Sequence, residues 1–243
     1  MALEARIIPV LLLHNDGLYK TKRFKNPKYV GDPINAVRIF NEKEVDEILI
    51  LDIDCSVQKK EPNFELIEEI ASEAFMPVGY GGGISSLDTA KRVFQLGVEK
   101  VVINTALSHN TDLISSIANV YGAQAVVASI DYKNSLFGGT KAYFTNGNRK
   151  SDYTPAELAR IFENRGVGEI ILHSIDREGS YSGYDLDLLK QIVEAVQIPV
   201  VVLGGASSIL DFNAAKKVGA SGMAAGSMFV FQRPYDAVLI KYL

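Results

Sequence analysis

The chain has 243 residues, of which 47% are hydrophobic, and its 25 basic residues are nearly balanced by 29 acidic ones. Because the charges balance and no basic block occurs, neither nucleic acid nor an anionic membrane is expected as a partner. A chain of this length and composition can bury a large core.

Cys55 is the single cysteine, which excludes an internal disulfide and a cysteine-based metal cluster. We expect no metal and no cofactor. The stretch MALEARIIPVLLLHND carries Glu4 ahead of a short apolar run and predicts a first strand, not a signal peptide. No apolar run is long enough to span a bilayer. These features favour a cytoplasmic protein.

Short apolar runs alternate with amphipathic segments along the chain, as is typical of βα units around a parallel sheet. The pattern predicts strands near 7–12, 47–53, 76–80, 100–104, 125–130, 169–173, 199–203 and 221–226. It predicts helices near 33–43, 63–73, 87–96, 111–120, 154–165, 185–196, 208–217 and 234–242. Eight such units in about 250 residues favour an α/β fold of the (β/α)8 barrel type, with residues 1–243 as one domain. An open doubly wound sheet is the alternative.

The two halves of the chain resemble each other at an offset of 122 residues. PVGYGGGISSLDTAKRVFQLGVEKVVINT, from Pro77, returns without a gap as PVVVLGGASSILDFNAAKKVGASGMAAGS, from Pro199. Upstream, VDEILILDID matches VGEIILHSID in the same register. Agreement over two blocks indicates a barrel built from two duplicated half-barrels, and it favours the barrel over the open sheet.

Glycines directly follow the third and seventh predicted strands. Polar residues stand at the ends of the fourth and eighth predicted strands, which are the next strands along the chain. Gly83 and Gly205 are repeat partners, as are Thr105 and Ser227. Backbone N–H groups after such strands can bind an anion, so the duplication predicts two phosphate sites. The alternative is that each glycine pair only forms a tight turn.

Two segments, 14–32 and 132–153, are longer than usual βα connections and are predicted as long loops on the active face. The first contains Lys20, Lys22, Arg23 and Lys25, which would suit a phosphorylated substrate. A solvated charge run is the equal alternative.

The segments RIIPVLLLHNDG, DEILILDID, GGGISSLDTA, EKVVINTA, VVASIDYK, GEIILHSIDREGSYSGYD and GGASS carry a specific resemblance. Over nearly its whole length the chain resembles the cyclase subunit of imidazole glycerol phosphate synthase. The resemblance implies a (β/α)8 barrel that takes ammonia from a glutaminase docked on its bottom face. That family joins the ammonia to a bisphosphorylated ribulosyl substrate and closes an imidazole ring. The resemblance implies phosphate contacts at Gly83, Asn104, Thr105, Gly179, Gly205, Gly226 and Ser227. The basic segment adds Lys20 as a further candidate.

The family's general acid and base are implied to be two aspartates at the ends of strands one and five. Asp131 matches the second, but Leu12 stands where the first is expected, and leucine cannot transfer a proton. Asp16 fits an Asn-Asp-Gly turn better than a catalytic role. His173, Leu203 and Glu178 stand where threonine, serine and aspartate are usual. His173 could be a general base, a phosphate partner or a structural histidine.

The bottom of the barrel keeps the family's pattern. A ring of four charged residues through which ammonia enters is implied at Arg6, Glu47, Lys100 and Glu169. Ordinary surface ion pairs are the alternative. Glu99 and Gln124 are placed at the interface with the glutaminase.

The preferred interpretation is a paralogue that delivers ammonia while its cyclase chemistry is altered. Relatives of this kind serve, with a glutaminase and a separate amidating enzyme, in making acetamidino sugars for surface polysaccharides. Three alternatives stay open: an ordinary subunit of the histidine-pathway synthase, a sugar-phosphate isomerase on the same duplicated barrel, and a non-catalytic scaffold that activates the glutaminase.

Overall fold

The computed structural model describes residues 5–135, 139–232 and 237–240. It contains eight parallel strands: β1 Arg6–His14, β2 Ile48–Asp52, β3 Val78–Gly81, β4 Lys100–Ile103, β5 Val126–Ser135, β6 Glu169–Ser174, β7 Val200–Leu203 and β8 Gly222–Ala225. They pair in the order β6-β7-β8-β1-β2-β3-β4-β5, and a further β5–β6 pairing closes the barrel. The predicted barrel is therefore confirmed, and the open sheet is wrong.

Seven of the predicted helices lie between these strands. They are α1 Pro33–Glu42, α2 Phe64–Glu73, α3 Leu87–Gln95, α4 Asp112–Tyr121, α5 Pro155–Asn164, α6 Leu186–Ala195 and α7 Ile209–Val218. The predicted helix 234–242 is wrong where it can be compared. Ala237–Val238 is a strand that pairs with Phe231–Gln232, so strand bonds replace helical ones. The rest of that prediction lies largely outside the described residues.

The duplication recurs in the capping of the helices. Asp32 and Thr154, which are repeat partners, each accept a bond from the backbone N–H three residues on and precede a proline in the first turn. Asn63 and Asp185 cap α2 and α6 in the same way, with bonds of 3.2 and 3.3 Å. A cap of this type contributes about 1 kcal/mol to helix stability. Helices related by the repeat therefore start at equivalent positions in the two halves. The connections that lead into them are placed alike around the barrel.

The two long segments are β-hairpins and not loops, which corrects the prediction. Gly17–Lys22 pairs with β1 and with Lys25–Gly31. Gly139–Phe144 pairs with β5 and with Arg149–Lys150. Asp16 does lie in a turn, at φ 59°, directly after Asn15 at φ 48°. Two left-handed residues in a row form the tight turn that the right-handed twist of paired strands requires.

Two repeat-related aspartates fix the hairpins to the barrel. Asp54 accepts the backbone N–H of Asn15 at 2.8 Å, and Asp176 accepts that of Asn134 at 2.8 Å. Asp54 also contacts the ring of His14, with 2.7 Å between Oδ1 and Nδ1. Each half thus uses the aspartate after its second strand to hold the extension of its first strand.

The core has two layers. The outer layer lies between strands and helices and includes Phe40, Phe162 and Phe229. The inner layer fills the barrel with aliphatic side chains from seven strands: Ile8, Val10, Leu12, Leu49, Val102, Val127, Ile171, Val201, Leu203 and Ala224. Within the described residues, no helix is both long and apolar enough to cross a membrane.

Candidate functional site

A cavity of about 140 Å³ opens at the carboxyl ends of the barrel strands, which we call the mouth. All eight predicted phosphate-binding residues line it, together with both predicted catalytic residues, Asp131 and His173. Barrel closure explains this convergence, because the carboxyl ends of parallel strands meet around one axis. Sites for drug-sized ligands usually occupy about 300–1,000 Å³, so the mouth as it stands suits a smaller guest.

The first predicted phosphate end comprises Gly83, Asn104 and Thr105. Gly83 adopts a left-handed φ of 69°, and a Cβ there would lie 3.0 Å from Cβ of Cys55, so glycine is favoured at this position. The Asn104 amide donates to the backbone oxygens of Ser129 and Tyr143, at 3.0 and 3.4 Å. Its donors are engaged with the backbone of β5 and of the second hairpin, so an anion at this end would meet backbone N–H groups and the Thr105 hydroxyl.

The second predicted phosphate end lies across the mouth and comprises Gly179, Gly205, Gly226 and Ser227, beside Lys20. Gly205 has φ 106°, and a Cβ there would overlap the carbonyl oxygen of Gly183. Glycine is therefore required at this turn whether or not an anion binds. Gly226 differs, because a Cβ there would meet the Lys20 ammonium, 2.7 Å away.

Lys20 is the basic side chain that the first hairpin buries in the mouth. Its ammonium donates to the carbonyl oxygen of Val10, and the residue is 2% exposed. Burial lowers its pKa to about 7, although attraction to Glu178 opposes that shift. Glu178 is itself buried, and desolvation raises its pKa despite the nearby charges of His173 and Lys20. Lys20 can therefore gain or lose a proton near neutral pH.

Asp131 and His173 lie side by side on neighbouring strands, with 3.6 Å between Oδ1 and Nδ1. The Ser129 hydroxyl donates to the same carboxylate oxygen at 3.0 Å. No hydrogen-bond partner within the described residues reaches Nε2 of His173, which is buried. The ring of Phe24, at the tip of the first hairpin, packs 4.8 Å from the imidazole. The pair could exchange a proton with a small guest.

The rest of the mouth is apolar where proton transfer would need a second group. Leu12 is the last side chain of β1 in the inner layer of the core, and Leu203 is the last one of β7. Both are buried and line the mouth. Neither side chain can bind or release a proton. With Asp131 as the remaining aspartate of the family pair, the mouth lacks the two-aspartate arrangement that the resemblance implies for ring closure.

At the opposite end, Arg6, Glu47, Lys100 and Glu169 form a closed ring of alternating charge. Arg6 donates to both glutamates. The ammonium of Lys100 lies 2.9 Å from Glu47 and 3.0 Å from Glu169. Burial alone would lower the pKa of Arg6, but the two glutamates outweigh it and the pKa is raised. Above the ring, a cavity of about 10 Å³ is close to the space of one water molecule.

The face around this ring, where the barrel strands begin, is the bottom face. Glu99 and Gln124 lie on it and are exposed; Glu99 directly precedes β4, and Gln124 lies two residues before β5. Sequence reasoning missed Phe75, which precedes β3 on the same face and is 87% exposed. Asn41 holds the Phe75 backbone N–H at 2.9 Å. The sequence signal that could have indicated it is a phenylalanine between the predicted helix 63–73 and the predicted strand 76–80, outside both apolar patterns.

No group of three or more His, Cys, Asp or Glu side chains that could hold a metal ion occurs in the part of the chain that the structure describes. The acidic, basic and histidine side chains that line the mouth in this part of the chain are Lys20, Asp52, Asp131, His173 and Glu178.

Residues 6–234 match the family described as "Histidine biosynthesis protein". The chain is 52% identical to a Pseudomonas aeruginosa protein provisionally named imidazole glycerol phosphate synthase subunit hisF2, over 98% of this chain and 95% of that one. It belongs to the family of imidazole glycerol phosphate synthase cyclase subunits. Other relatives include a Leptospira borgpetersenii protein, provisionally named as subunit HisF, at 46% identity over 99% and 95% of the two chains. A Thermococcus onnurineus protein named imidazole glycerol phosphate synthase subunit HisF is 37% identical over 99% and 95%.

Proposed function

We propose that this family member is the synthase-side subunit of a glutamine amidotransferase complex. A glutaminase docks on its bottom face, ammonia crosses the barrel through the charged ring, and it emerges at the phosphate-binding mouth. The nitrogen is used to amidate a sugar for surface polysaccharide, and a separate amidating enzyme carries out that step.

The closed ring at the bottom of an apolar barrel interior carries this proposal. Four charged side chains at strand starts cost desolvation energy, which makes a purely stabilising role a weak explanation. Between the ring and the mouth, the inner layer is aliphatic, with Ile8, Leu49, Val102 and Ile171 next to the ring. Neutral ammonia can enter such an environment, whereas an ammonium ion pays a large penalty. The arrangement therefore supports passage of the uncharged form.

The side chains of the mouth favour delivery of ammonia over closure of an imidazole ring. Leu12 and Leu203 remove polar groups, and Phe24 occupies the space beside His173. A small guest such as ammonia or one phosphate group fits the remaining volume better than a bisphosphorylated ribulosyl substrate does. Asp131 and His173 could still accept or return a proton as ammonia leaves.

The test is reconstitution with the cognate glutaminase and the candidate amidating enzyme. Glutamine-dependent amidation of the sugar should require this chain, and added ammonium salts should replace both the glutaminase and glutamine. If amidation proceeds from glutamine equally well without this chain, the proposal fails.

The second candidate is an ordinary synthase subunit of the histidine pathway, which the retained Asp131 and the two phosphate ends favour. It predicts formation of imidazole glycerol phosphate from ammonium salts and the pathway's bisphosphate. A scaffold would instead stimulate the glutaminase without passing ammonia. Its signature is glutamate release that this chain accelerates while amidation draws equally on free ammonia in solution.

A further inference from the structure

A second cleft lies beside the mouth, between the two hairpins, and encloses about 510 Å³. Four of its seven lining residues are basic and one is acidic: Lys22, Arg23, Lys25, Asn26, Lys133, Ile175 and Asp176. Neither the phosphate ends of the mouth nor the ring share any of these residues. The cleft is thus a separate concave site.

Positive charge is concentrated on the hairpins that form this cleft. Residues 17–31 contain five basic side chains, residues 132–150 contain four, and neither segment contains an aspartate or glutamate. The whole chain has a formal net charge of −4. A cluster of one sign in a concave surface focuses the field and raises the local concentration of oppositely charged ligands.

Hydrogen bonds hold two of the cations in place. The backbone N–H of Arg23 donates to Glu178 O and its Nε to Asp176 O, both at 3.1 Å. On the facing hairpin, the Lys133 ammonium donates to Gly147 O at 3.0 Å and lies 4.4 Å from the centre of the Tyr143 ring. Groups fixed before a ligand arrives lose less entropy on binding it.

The four cations of the cleft outnumber its one carboxylate, so the lining keeps a formal excess of three positive charges. That carboxylate, of Asp176, accepts the backbone N–H of Asn134 at 2.8 Å. Among the described residues, none of the four cleft cations forms an ion pair with a carboxylate. Lysine and arginine N–H groups are strong phosphate donors, and arginine can bind two phosphate oxygens at once.

We propose that this cleft binds a diphosphate group, as carried by a nucleoside diphosphate or its esters. Cations from two hairpins converge on one cavity, which fits a compact polyanion better than the flatter acidic surface of a protein. The inference goes beyond the proposed function and does not depend on ammonia transfer.

The test is isothermal titration of the full chain with inorganic pyrophosphate at an ionic strength of about 0.15 M, where charges more than about 8 Å apart are largely screened. The Lys22→Gln/Lys25→Gln double variant should bind pyrophosphate about tenfold or more weakly than the parent chain, since two charge-assisted contacts are lost. The matched control is Lys141→Gln/Lys150→Gln, which removes two cations from the second hairpin outside the cleft. It should change the affinity by less than about twofold, because exposed distant charges are screened.

Circular dichroism is used to check that both double variants are folded. Three results would each overturn the proposal: no pyrophosphate binding by the parent, equal losses in the two double variants, or a cleft variant that binds as tightly as the parent. A poly-glutamate peptide is titrated in parallel. If the peptide binds and pyrophosphate does not, the surface recognises acidic protein and the diphosphate assignment is wrong.

Discussion

Glu47 and Glu169 share one ammonium group, that of Lys100, which lies 2.9 Å from the first and 3.0 Å from the second. The two glutamates are repeat partners, so the pseudo-twofold relation of the half-barrels places them on opposite sides of the axis. The bridging cations, Arg6 and Lys100, are not repeat partners of each other. The ring therefore combines a duplicated acidic pair with two independently placed bases.

Neutralising the ring should uncouple the two reactions of the assembled complex. Lys100→Met is expected to leave amidation from ammonium salts nearly unchanged, because free ammonia can enter from the mouth. Glutamine-driven amidation should fall, and glutamate should be released faster than amidated product forms, since Glu47 and Glu169 lose a shared counter-ion. The measurement is the ratio of glutamate to product. A ratio near one with an unchanged glutamine-driven rate would mean that ammonia takes another path.

Much of the fold could be predicted because the duplication constrained it twice. Strand β3 and its partner β7 were located by the same glycine turn, and each prediction supported the other. The hairpins could not be predicted in the same way. The outer strand of the first hairpin, Lys25–Gly31, is polar and largely exposed, so it lacks the alternation of a half-buried strand. The prediction for the end of the chain failed because the βα pattern favoured a helix where Ala237–Val238 forms a strand.

Some features of the candidate site could be predicted from the sequence and others could not. Glycines and charged residues at strand ends were predictable, since the barrel axis brings strand ends together. The roles of individual side chains were not, because they depend on contacts across the chain. Asn104 binds the second hairpin, and Lys20 is buried by the first, and neither contact has a local sequence signal.

Anion binding beside Lys20 should depend on pH. Its pKa of about 7 means that the Lys20 side chain is cationic at low pH and neutral at high pH. Sulfate remains a dianion throughout, so its affinity should be level below about pH 7 and should fall by up to about tenfold per pH unit above it. Isothermal titration from about pH 6 to about pH 9 measures this. Lys20→Met should bind weakly and largely lose this pH dependence.

Asp52, Asp131, His173 and Glu178 also line the mouth, and Lys20→Met retains all four. A slope that persists in this variant would therefore assign the titration to one of these groups. Equal sulfate affinity of parent and variant at about pH 6 would contradict a role for Lys20 in anion binding.

Phe75 should anchor the partner on the bottom face. An aromatic that is 87% exposed contributes little to the stability of the isolated chain, so Phe75→Ala should change its free energy of unfolding by less than about 0.5 kcal/mol. Buried at an interface, the same ring should matter, and the affinity for the glutaminase should fall about tenfold or more. Surface plasmon resonance measures it. Leu210→Ala, in the first turn of α7 and 73% exposed, is the matched control and should bind as the parent does.

The last prediction concerns ring closure at the mouth. Supplied with ammonium salts and the histidine-pathway bisphosphate, the parent chain should form imidazole glycerol phosphate slowly, because Leu12 faces the mouth where an acid or base is needed. Loss of such a group typically lowers the reaction rate by about 10² to 10⁴-fold.

Leu12→Asp should raise the rate if the phosphate ends still bind the substrate. It should also lower the stability by a few kcal/mol, since a carboxyl replaces a buried leucine. Thermal unfolding and product formation are measured together, with Leu12→Asn as the control that adds polarity without a titrating group. A parent rate within about tenfold of an ordinary family member would show that Leu12 does not limit the chemistry and would favour the histidine-pathway alternative.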